Sequence, residues 1–445
     1  MNRDDVFRYG DHELVDGRLR CTYEVGGRTF TETVEIADAG PVTPVAEAAA
    51  TLVHLLAGVS YYKAFAPPVV DLGVMRVRPS TATFLREVFV EGLGEFAYRN
   101  GIDLGGLEVV GGVVDPTPLP APTSARAGDR PRPLVPFGGG MDSLVSVDLV
   151  RTTGADPALF VVEGRRRYAA IEHAAAATGL PVQRAVRTLD PQILRSAELG
   201  FLNGHVPVTG IIGAIAVLTA ALTDRDAVVM SNEWSASMGN VAHHGRIVNH
   251  QYSKGSAFET AFRTELAAWV GAAVDWFSLL RPFSELWIAR RFAERPEHLR
   301  TFHSCNRAFH VDPSARLDRW CGRCDKCAFI DLVLAPYVPA ADLAAVFDGR
   351  EPLDDPSLLD VFATLLDIGE GPKPFECVGD VAECRTAVAL AAERPDRAAS
   401  PVLTVLRDRL GADAVARARA DADRLLGPLG PHTVPEPYAS AAGLG

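Results

Sequence analysis

The sequence has no excess of basic residues. Its 445 residues include 44 lysines and arginines against 56 aspartates and glutamates, which gives a formal net charge of −12 at pH 7. Proteins that bind nucleic acid use clustered cations to neutralise phosphates, so this acidic balance argues against a nucleic-acid partner. Hydrophobic residues make up 48% of the chain, enough for sizeable cores, and the length favours two or three domains.

A long uninterrupted hydrophobic run is also missing. The longest apolar stretch, residues 206–222, contains Pro207, Thr209 and Thr219. It is barely long enough to cross a bilayer and fits a buried helix better. The chain starts with polar and charged residues, unlike a secretory signal peptide. We therefore expect a cytoplasmic protein without a membrane span. The oligomeric state, a homo-oligomer included, stays open.

Cysteine is scarce, with seven residues in the whole chain. In a cytoplasmic protein they favour a metal site or free thiols over disulfides. Four of them form one pattern, in which Cys305 precedes Cys321, Cys324 and Cys327. Two-residue gaps let thiolates wrap around one tetrahedral ion, and four ligands leave no open position, so the pattern predicts a structural zinc site. An iron–sulfur cluster is the alternative. The other three cysteines are expected to be ordinary residues.

The residue patterns divide the chain into four segments. Residues 1–113 are predicted to form an N-terminal α+β domain, and the proline-rich stretch 114–132 is typical of a semi-rigid linker. Residues 133–345 alternate strand and helix patterns and contain the cysteine module 305–327. Residues 346–445 have a mostly helical pattern, and the prolines near their end predict a loose tail.

The alternation over 133–345 predicts an α/β fold, with a parallel sheet covered by helices on both faces. Ligands of such sheets bind at the carboxyl ends of the strands. The predicted strands cover 133–137, 157–162, 182–187, 226–231 and 274–279. The predicted helices cover 143–152, 167–178, 207–222, 256–272 and 284–294.

A glycine loop follows the first predicted strand and leads into the first helix. Glycines let the backbone approach an anion closely, and the helix start adds free N–H groups and the positive end of the helix dipole. This arrangement predicts a phosphate-binding loop. A tight turn without a ligand is the alternative. The loop residues are Gly138, Gly139, Gly140, Met141, Asp142 and Ser143.

Polar residues interrupt apolar segments at four further places, and one of them, residues 282–285, receives no role. Glu233 follows a predicted strand on the ligand side of the sheet, where a carboxylate could hold magnesium or act as a base; a helix cap is the alternative. His250, Tyr252 and Lys254 alternate, which would place a base, a phenol and a cation on one side of an extended segment, unless they form a solvated loop. His205 is interpreted either as part of the site or as a cap of the next helix.

The glycine loop is not a Walker A motif, because no Gly-Lys-Ser/Thr follows it. It resembles the pyrophosphate loop of the ATP pyrophosphatase (PP-loop) superfamily, Ser-Gly-Gly-x-Asp-Ser. Gly139, Gly140, Asp142 and Ser143 match that pattern, while Gly138 replaces its first serine. The resemblance implies ATP binding and cleavage between the α and β phosphates, with a carboxyl or carbonyl oxygen activated as an adenylate.

Several segments together resemble the ATP-dependent UDP-N-acetylmuramoyl-L-alanyl-L-glutamate epimerase family of bacterial cell-wall synthesis. The resemblance covers about residues 1–430. It implies inversion of the terminal glutamate of UDP-MurNAc-L-Ala-L-Glu with ATP and Mg²⁺, release of AMP and pyrophosphate, and magnesium binding by Glu233 or Asp142. It makes His250, Tyr252, Lys254 and His205 candidates for proton transfer. The segments are 137–143, 203–208, 231–235, 249–254, the four-cysteine module and 373–379, a loop with Lys373 and Cys377 that could reach over the site.

Three other functions fit parts of the pattern. A ligase similar to 7-cyano-7-deazaguanine synthase shares the loop and the cysteine spacing, but it usually lacks the N-terminal unit and the C-terminal extension. A tRNA-thiolating enzyme uses the same loop, and the acidic composition argues against it. A non-catalytic nucleotide-binding regulator is favoured only by the glycine at position 138.

Overall fold

The computed structural model describes residues 6–117, 130–164, 166–309, 313–369 and 375–444. Most of the linker predicted over 114–132 lies outside the described residues, and so does Lys373. The protein is mixed α/β and is built around one sheet of ten strands.

The first 117 residues contribute a β-hairpin, several short strands and four helices. Gly26 and Gly27, both with positive φ, form the turn between the second and third strands, because glycine adopts that conformation without strain. The helical stretch 81–100 is interrupted at Leu93 and forms two helices. The strands are β1 Val6–Val15, β2 Arg18–Val25, β3 Arg28–Ile36, β4 Val69–Asp71, β5 Arg76–Val77, β6 Glu108–Val110 and β7 Val113–Val114. The helices are α1 Pro44–Ala57, α2 Val59–Tyr62, α3 Thr81–Gly92 and α4 Gly94–Asn100.

The central part of the chain confirms the predicted alternation of strands and helices. Each predicted strand is present to within about two residues at either end. The strands are β8 Pro133–Pro136, β9 Ala158–Glu163, β10 Val182–Thr188, β11 Ala227–Met230, β12 Val241–His243, β13 Arg246–Val248 and β14 Asp275–Ser278. The helices are α5 Met141–Thr152, α6 Ala169–Thr178, α7 Pro191–Leu194, α8 Val208–Leu222, α9 Ser256–Val270 and α10 Glu285–Ala293.

The large sheet is mostly parallel where the prediction placed a parallel sheet. Its order is β14-β11-β8-β9-β10-β3-β2-β1-β4-β6, and the first five strands run parallel to their neighbours. β3 pairs antiparallel with β10, so strands of the first 113 residues extend the same sheet. A buried ion pair joins them, with Nε of Arg187 2.7 Å from Oε1 of Glu32.

The sheet separates two hydrophobic cores. Side chains alternate across it, so that on β14 Trp276 belongs to one core and Phe277 to the other. On the first face α8 packs against α1 of the N-terminal segment. On the second face α5 packs against α10, which in turn contacts the C-terminal helices. The carboxyl ends of β8, β11 and β14 lie side by side in this frame.

The C-terminal region is mostly helical, as predicted, but its end is not a loose tail. The ring of Tyr438 is buried 5.1 Å from that of Phe277, and Oγ1 of Thr433 donates to Glu259 at 3.0 Å. Val434, between two of the prolines, is buried as well. The helices are α11 Asp325–Leu334, α12 Ala340–Val346, α13 Leu359–Leu365, α14 Val381–Ala391, α15 Pro401–Leu410, α16 Ala412–Ala420, α17 Ala422–Leu425 and α18 Tyr438–Ala441.

Within the described residues, one helical stretch, Pro44–Tyr62, passes a length and composition test for a membrane span. Its mean hydropathy is 1.2, and 89% of that window is buried inside the protein. A core helix of a folded domain passes the same test, and this stretch packs on α8. The apolar run 206–222 forms α8, whose residues are mostly buried, as the sequence predicted.

Candidate active site

The glycine loop lies at the carboxyl end of β8 and leads directly into α5. Gly139 has φ +76°, a left-handed conformation that favours glycine. Gly140 is the N-cap of α5 and has no side chain to occupy the helix start. The backbone N–H of His303 donates to the carbonyl of Gly139 at 2.8 Å and fixes the loop. The helix therefore presents its positive end at the edge of the sheet.

Three carboxylates from three strand ends meet beside this loop. Asp142 is in the first turn of α5, Glu233 follows β11, and Glu285 opens α10 after β14. One oxygen of each lies within 4.8 Å of the others. The parallel pairing of β8, β11 and β14 explains this meeting, because their carboxyl ends share one edge of the sheet.

Burial and repulsion between carboxylates keep Asp142 and Glu285 protonated more readily than usual. Burial, followed by the charge of Glu233, raises the pKa of Asp142 to about 6. Burial and the charge of Asp142 raise the pKa of Glu285 well above its usual value. No group among the described residues hydrogen-bonds to Oε2 of Glu285. A cation with hard oxygen ligands fits this set, because it would relieve the repulsion and bind the orphaned oxygen.

Glu383 connects this acidic cluster to the C-terminal region. Its Oε1 accepts the backbone N–H of Glu285 at 3.0 Å, and its Oε2 accepts that of Asp380 at 2.7 Å. Burial, with the charge of Asp380, raises the pKa of Glu383 to about 8. The start of α14 and the start of α10 are thus held together by one buried side chain.

Arg281 holds two loops of the site in place. Its Nε lies 2.8 Å from Oε2 of Glu259, and both side chains are almost fully buried. Its Nη1 donates to the carbonyl of Glu233 at 2.6 Å, and its Nη2 donates to the carbonyl of Lys254. One guanidinium therefore orders the backbone on both sides of the polar centre.

Two lysines face the acidic cluster and the segment around Cys377. Nζ of Lys254 lies 3.3 Å from Sγ of Cys377. Burial opposes the charge of Lys254, but Cys377, Glu233 and Asp142 outweigh it and raise its pKa. Nζ of Lys326 donates to the carbonyl of Cys377 at 2.6 Å. Both cations offset part of the negative charge at the strand ends.

Two histidines adjoin this centre. Nδ1 of His250 lies 2.5 Å from Oε2 of Glu95, a carboxylate of α4. Burial disfavours the charge of His250, but Cys377 and Glu95 outweigh it and raise its pKa to about 9. The ring of His205 lies 4.3 Å from that of His250, and burial together with His250 lowers the pKa of His205 to about 4. One imidazole is therefore charged and its neighbour neutral near pH 7.

The third member of the alternating triplet, Tyr252, points elsewhere. Residues 252–254 form a 3-10 turn, so the expectation of an extended segment is wrong. The hydroxyl of Tyr252 donates to Oε1 of Glu87 at 2.8 Å. Burial and the charge of Glu87 raise its pKa, and the phenol stays protonated. The structure thus gathers Lys254 and His250 around Cys377 and directs Tyr252 towards α3.

The four cysteines of the module form a compact cluster. Sγ of Cys327 lies 3.4 Å from Sγ of Cys324 and 3.6 Å from Sγ of Cys321, and Cys305 is 4.0 Å from Cys324. All four sulfurs lie within 4.8 Å of one another. Tetrahedral bonds of about 2.3 Å to one zinc would separate the sulfurs by about 3.8 Å. These four thiols therefore fit a single metal ion.

Sequence reasoning missed several members of the site. Glu285 stood in a polar segment that had no assigned role, and Cys377 was expected to be ordinary. Glu95 and Arg281 carried no local signal, because their partners are 155 and 22 residues away in the chain. The position of Glu285, in a polar segment a few residues after the apolar strand 274–279, was the one pattern that could have indicated it.

Fold and site together define an α/β protein with a polar centre at the carboxyl edge of a mostly parallel sheet and a four-cysteine cluster beside it. Two family models match the chain: MurL N-terminal domain over residues 2–279 and MurL C-terminal domain over residues 301–421. The chain belongs to the MurL family, and the family resemblance drawn from its motifs is confirmed.

Three curated relatives carry the name UDP-N-acetyl-alpha-D-muramoyl-L-alanyl-L-glutamate epimerase. The protein of Xanthomonas oryzae pv. oryzae is 42% identical over 83% of this chain and 81% of its own length. That of Salinispora tropica is 38% identical over 100% of this chain and 96% of its own. The protein of a Micromonospora species is 37% identical over 99% of this chain and 98% of its own length.

Proposed function

We propose that this protein inverts the terminal L-glutamate of UDP-MurNAc-L-Ala-L-Glu to D-glutamate in peptidoglycan precursor synthesis, using ATP. The relatives' names support the substrate and the epimerase reaction. The observation that carries the ATP-dependent chemistry is the meeting of the glycine loop with the carboxylates of Asp142, Glu233 and Glu285. Such a site suits a polyphosphate held with a divalent cation.

The need for ATP follows from the acidity of the α-carbon. Removing the α-proton beside a free carboxylate would place a second negative charge next to the carboxylate's own. Adenylation removes the carboxylate's charge and makes the acyl group a better electron sink. The α-carbon then loses its proton on one face and regains one on the other. Hydrolysis of the adenylate leaves D-glutamate, AMP and pyrophosphate.

The glycine loop supplies the anion site of this proposal, and we assign it to the PP-loop superfamily. Residues 138–143 follow a parallel strand and open a helix, and the left-handed Gly139 shapes the approach. Asp142, Glu233 and Glu285 would hold Mg²⁺, which when bound would neutralise part of the phosphate charge. Lys254 and the charged His250 lie where they could contact carboxylate or phosphate oxygens.

The four-cysteine cluster is proposed to hold structural zinc. An iron–sulfur cluster spreads its four thiolates over two or four irons bridged by sulfide, which needs more room than sulfurs within 4.8 Å leave. Lys326 lies between two of the cysteines and donates to the carbonyl of Cys377. Metal binding here would therefore order the segment that carries Cys377 against the site.

The test is to incubate the protein with UDP-MurNAc-L-Ala-L-Glu, Mg²⁺ and ATP, and to measure glutamate chirality and nucleotide products. We expect D-glutamate with AMP and pyrophosphate, and neither without ATP. Formation of ADP, or unchanged chirality, would contradict the proposal. A product that incorporates ammonia would point to the ligase alternative. Asp142→Ala serves as the folded, inactive control and is expected to release no pyrophosphate.

A further inference from the structure

Cys377 lies at the meeting point of two cationic groups. Its Sγ is 3.3 Å from Nζ of Lys254, and the charged imidazole of His250 acts on the same thiol and lowers its pKa. Glu95 holds His250 through its Nδ1 at 2.5 Å. Lys326 fixes the backbone of Cys377 at 2.6 Å. Groups from three separate parts of the chain, the segment 250–254, Glu95 and Lys326, therefore fix the surroundings of Cys377.

These neighbours favour the ionised thiol. Burial opposes ionisation, but Lys254 and His250 outweigh it and lower the pKa of Cys377 to about 7. A group with a pKa near neutrality exists in both protonation states, so it can accept a proton in one step and return it in another. In a reversible inversion of a carbon centre, each acid/base group must be able to accept a proton in one direction and donate it in the other.

The lysine, tyrosine and histidine side chains proposed for proton transfer lack this near-neutral pKa. Lys254 has a raised pKa and stays protonated, as does Tyr252, whose hydroxyl donates to Glu87. His250 is charged and committed to Glu95. His205 is neutral and a weak base, because its pKa is about 4. These groups can orient a substrate and stabilise charge, but they do not exchange a proton readily at neutral pH.

We propose that Sγ of Cys377 is the acid/base group on one face of the glutamate α-carbon. This inference rests on the proposed epimerase function. The thiolate takes the α-proton, an S–H bond forms as the C–H bond breaks, and the C–H electron pair passes into the activated acyl group. A solvent-exchangeable donor on the opposite face supplies the new proton. Sγ then returns its proton to solvent and the donor regains one from solvent, so atoms and charge balance over the cycle.

The experiment follows α-hydrogen exchange in D₂O for Cys377→Ala and Cys377→Ser, starting from each glutamate epimer with ATP and Mg²⁺. Acyl-adenylate formation is measured separately, by trapping with hydroxylamine and by pyrophosphate release. The wild-type protein should place deuterium at the α-carbon of both epimers. The variants should invert about 10² to 10⁴ times more slowly while forming the adenylate at near wild-type rates. Cys21→Ala, which removes a buried thiol from the N-terminal core, is the matched control and should epimerise normally.

The decisive readout is exchange without inversion. When Cys377 is removed, the acid/base group on the other face of the α-carbon should still exchange the α-hydrogen of one epimer with retained configuration. A merely structural defect would instead slow α-hydrogen exchange of both epimers and adenylate formation together. Normal epimerisation by Cys377→Ala would overturn the inference, as would a covalent glutamyl thioester on Cys377 in the wild-type protein. Failure of the wild-type protein to epimerise would instead overturn the proposed function.

Discussion

Arg281 and Glu259 form a buried ion pair, 2.8 Å between Nε and Oε2, at the base of the candidate active site. The side chain of Arg281 is 3% exposed and that of Glu259 4%, so neither charge is well hydrated. The guanidinium also donates to the carbonyls of Glu233 and Lys254. The pair therefore connects the packing of α9 to the position of two site loops.

Replacing Arg281 should damage both stability and activity. Arg281→Met would leave the buried carboxylate of Glu259 without its partner, and we expect a loss of about 3–5 kcal/mol in the free energy of unfolding. Arg281→Lys keeps the charge but cannot reach all three acceptors, so its stability loss should be smaller while activity still falls. Denaturant titration with parallel epimerase assays measures both effects.

The double variant Arg281→Met/Glu259→Gln is the control for this prediction. Removing both charges should recover part of the lost stability, because no unpaired carboxylate stays buried. Activity should stay low, since the loops at Glu233 and Lys254 lose the guanidinium in either variant. A loss below about 1 kcal/mol for Arg281→Met would show that the pair has little energetic role.

The acidic cluster predicts a stability that depends on pH in an unusual direction. The pKa of Asp142 is raised to about 6 by burial and by Glu233, above its value of about 3.8 in an unfolded chain. Between these values the folded state binds more protons than the unfolded state, so metal-free stability should fall as pH rises from about 4 to 6. Asp142→Asn removes this penalty and should be about 3 kcal/mol more stable than wild type at pH 8 with a chelator present.

The Asp142→Asn variant should gain stability but lose Mg²⁺ binding and catalytic function. Mg²⁺ should raise the unfolding temperature of the wild-type protein, because a ligand that binds only the folded state stabilises it. Asp142→Asn should lose that response together with pyrophosphate release. Asp413→Asn, at an exposed carboxylate of α16, should change neither quantity. An unaltered Mg²⁺ response in Asp142→Asn would separate Asp142 from the proposed metal site.

Replacement of Gly138 by serine, the residue at the start of the PP-loop pattern that the loop resembles, should be tolerated. A Cβ at this position would meet no heavy atom within 4 Å, and its φ is outside the left-handed region. We expect Gly138→Ser to be neutral or to add about 0.4–1 kcal/mol, because serine restricts the unfolded chain more than glycine does. Retained or increased ATP binding, measured by calorimetry, would show that the glycine is not required.

Gly139→Ser is the matched comparison one residue further along the same loop. Gly139 has φ +76°, and a Cβ there would lie 3.2 Å from Cβ of Ala174. The left-handed backbone alone costs a residue with a side chain about 1–2 kcal/mol. We therefore expect lower stability and weaker ATP binding than in Gly138→Ser. Equal stability and equal ATP binding of the two variants would mean that the backbone geometry of the loop does not determine the anion site.

The strand positions of the central sheet were predictable because each strand is a short apolar run bounded by turn residues. The attachment of the hairpin to that sheet was not, since β3 pairs with β10 about 150 residues later and no local pattern encodes this partner. The candidate active site likewise has a part that the sequence predicted and a part that it did not. The loop at 138–143 and Glu233 follow strand ends and were indicated, whereas the sulfur of Cys377 reaches Lys254 across 123 residues.

The four-cysteine cluster should contain one zinc ion per chain. Sγ–Sγ distances of 3.4, 3.6 and 4.0 Å suit thiolates around one ion. Metal binding to such a site contributes directly to folding stability, so stripping the metal should lower the unfolding temperature. Elemental analysis of the purified protein, and thermal unfolding before and after chelation, measure both effects.

Removing the metal should also reduce activity, although no cysteine of the cluster belongs to the acidic centre. Lys326 lies between Cys324 and Cys327 and donates to the carbonyl of Cys377 at 2.6 Å, so disorder in the module would release the segment that carries Cys377. Cys324→Ser should therefore lose zinc, stability and epimerisation together. Cys21→Ser, at a buried thiol outside the cluster, should keep its zinc and its activity. Iron and sulfide in place of zinc would contradict the assignment. Full activity of the zinc-free protein would contradict the link from this module to Cys377.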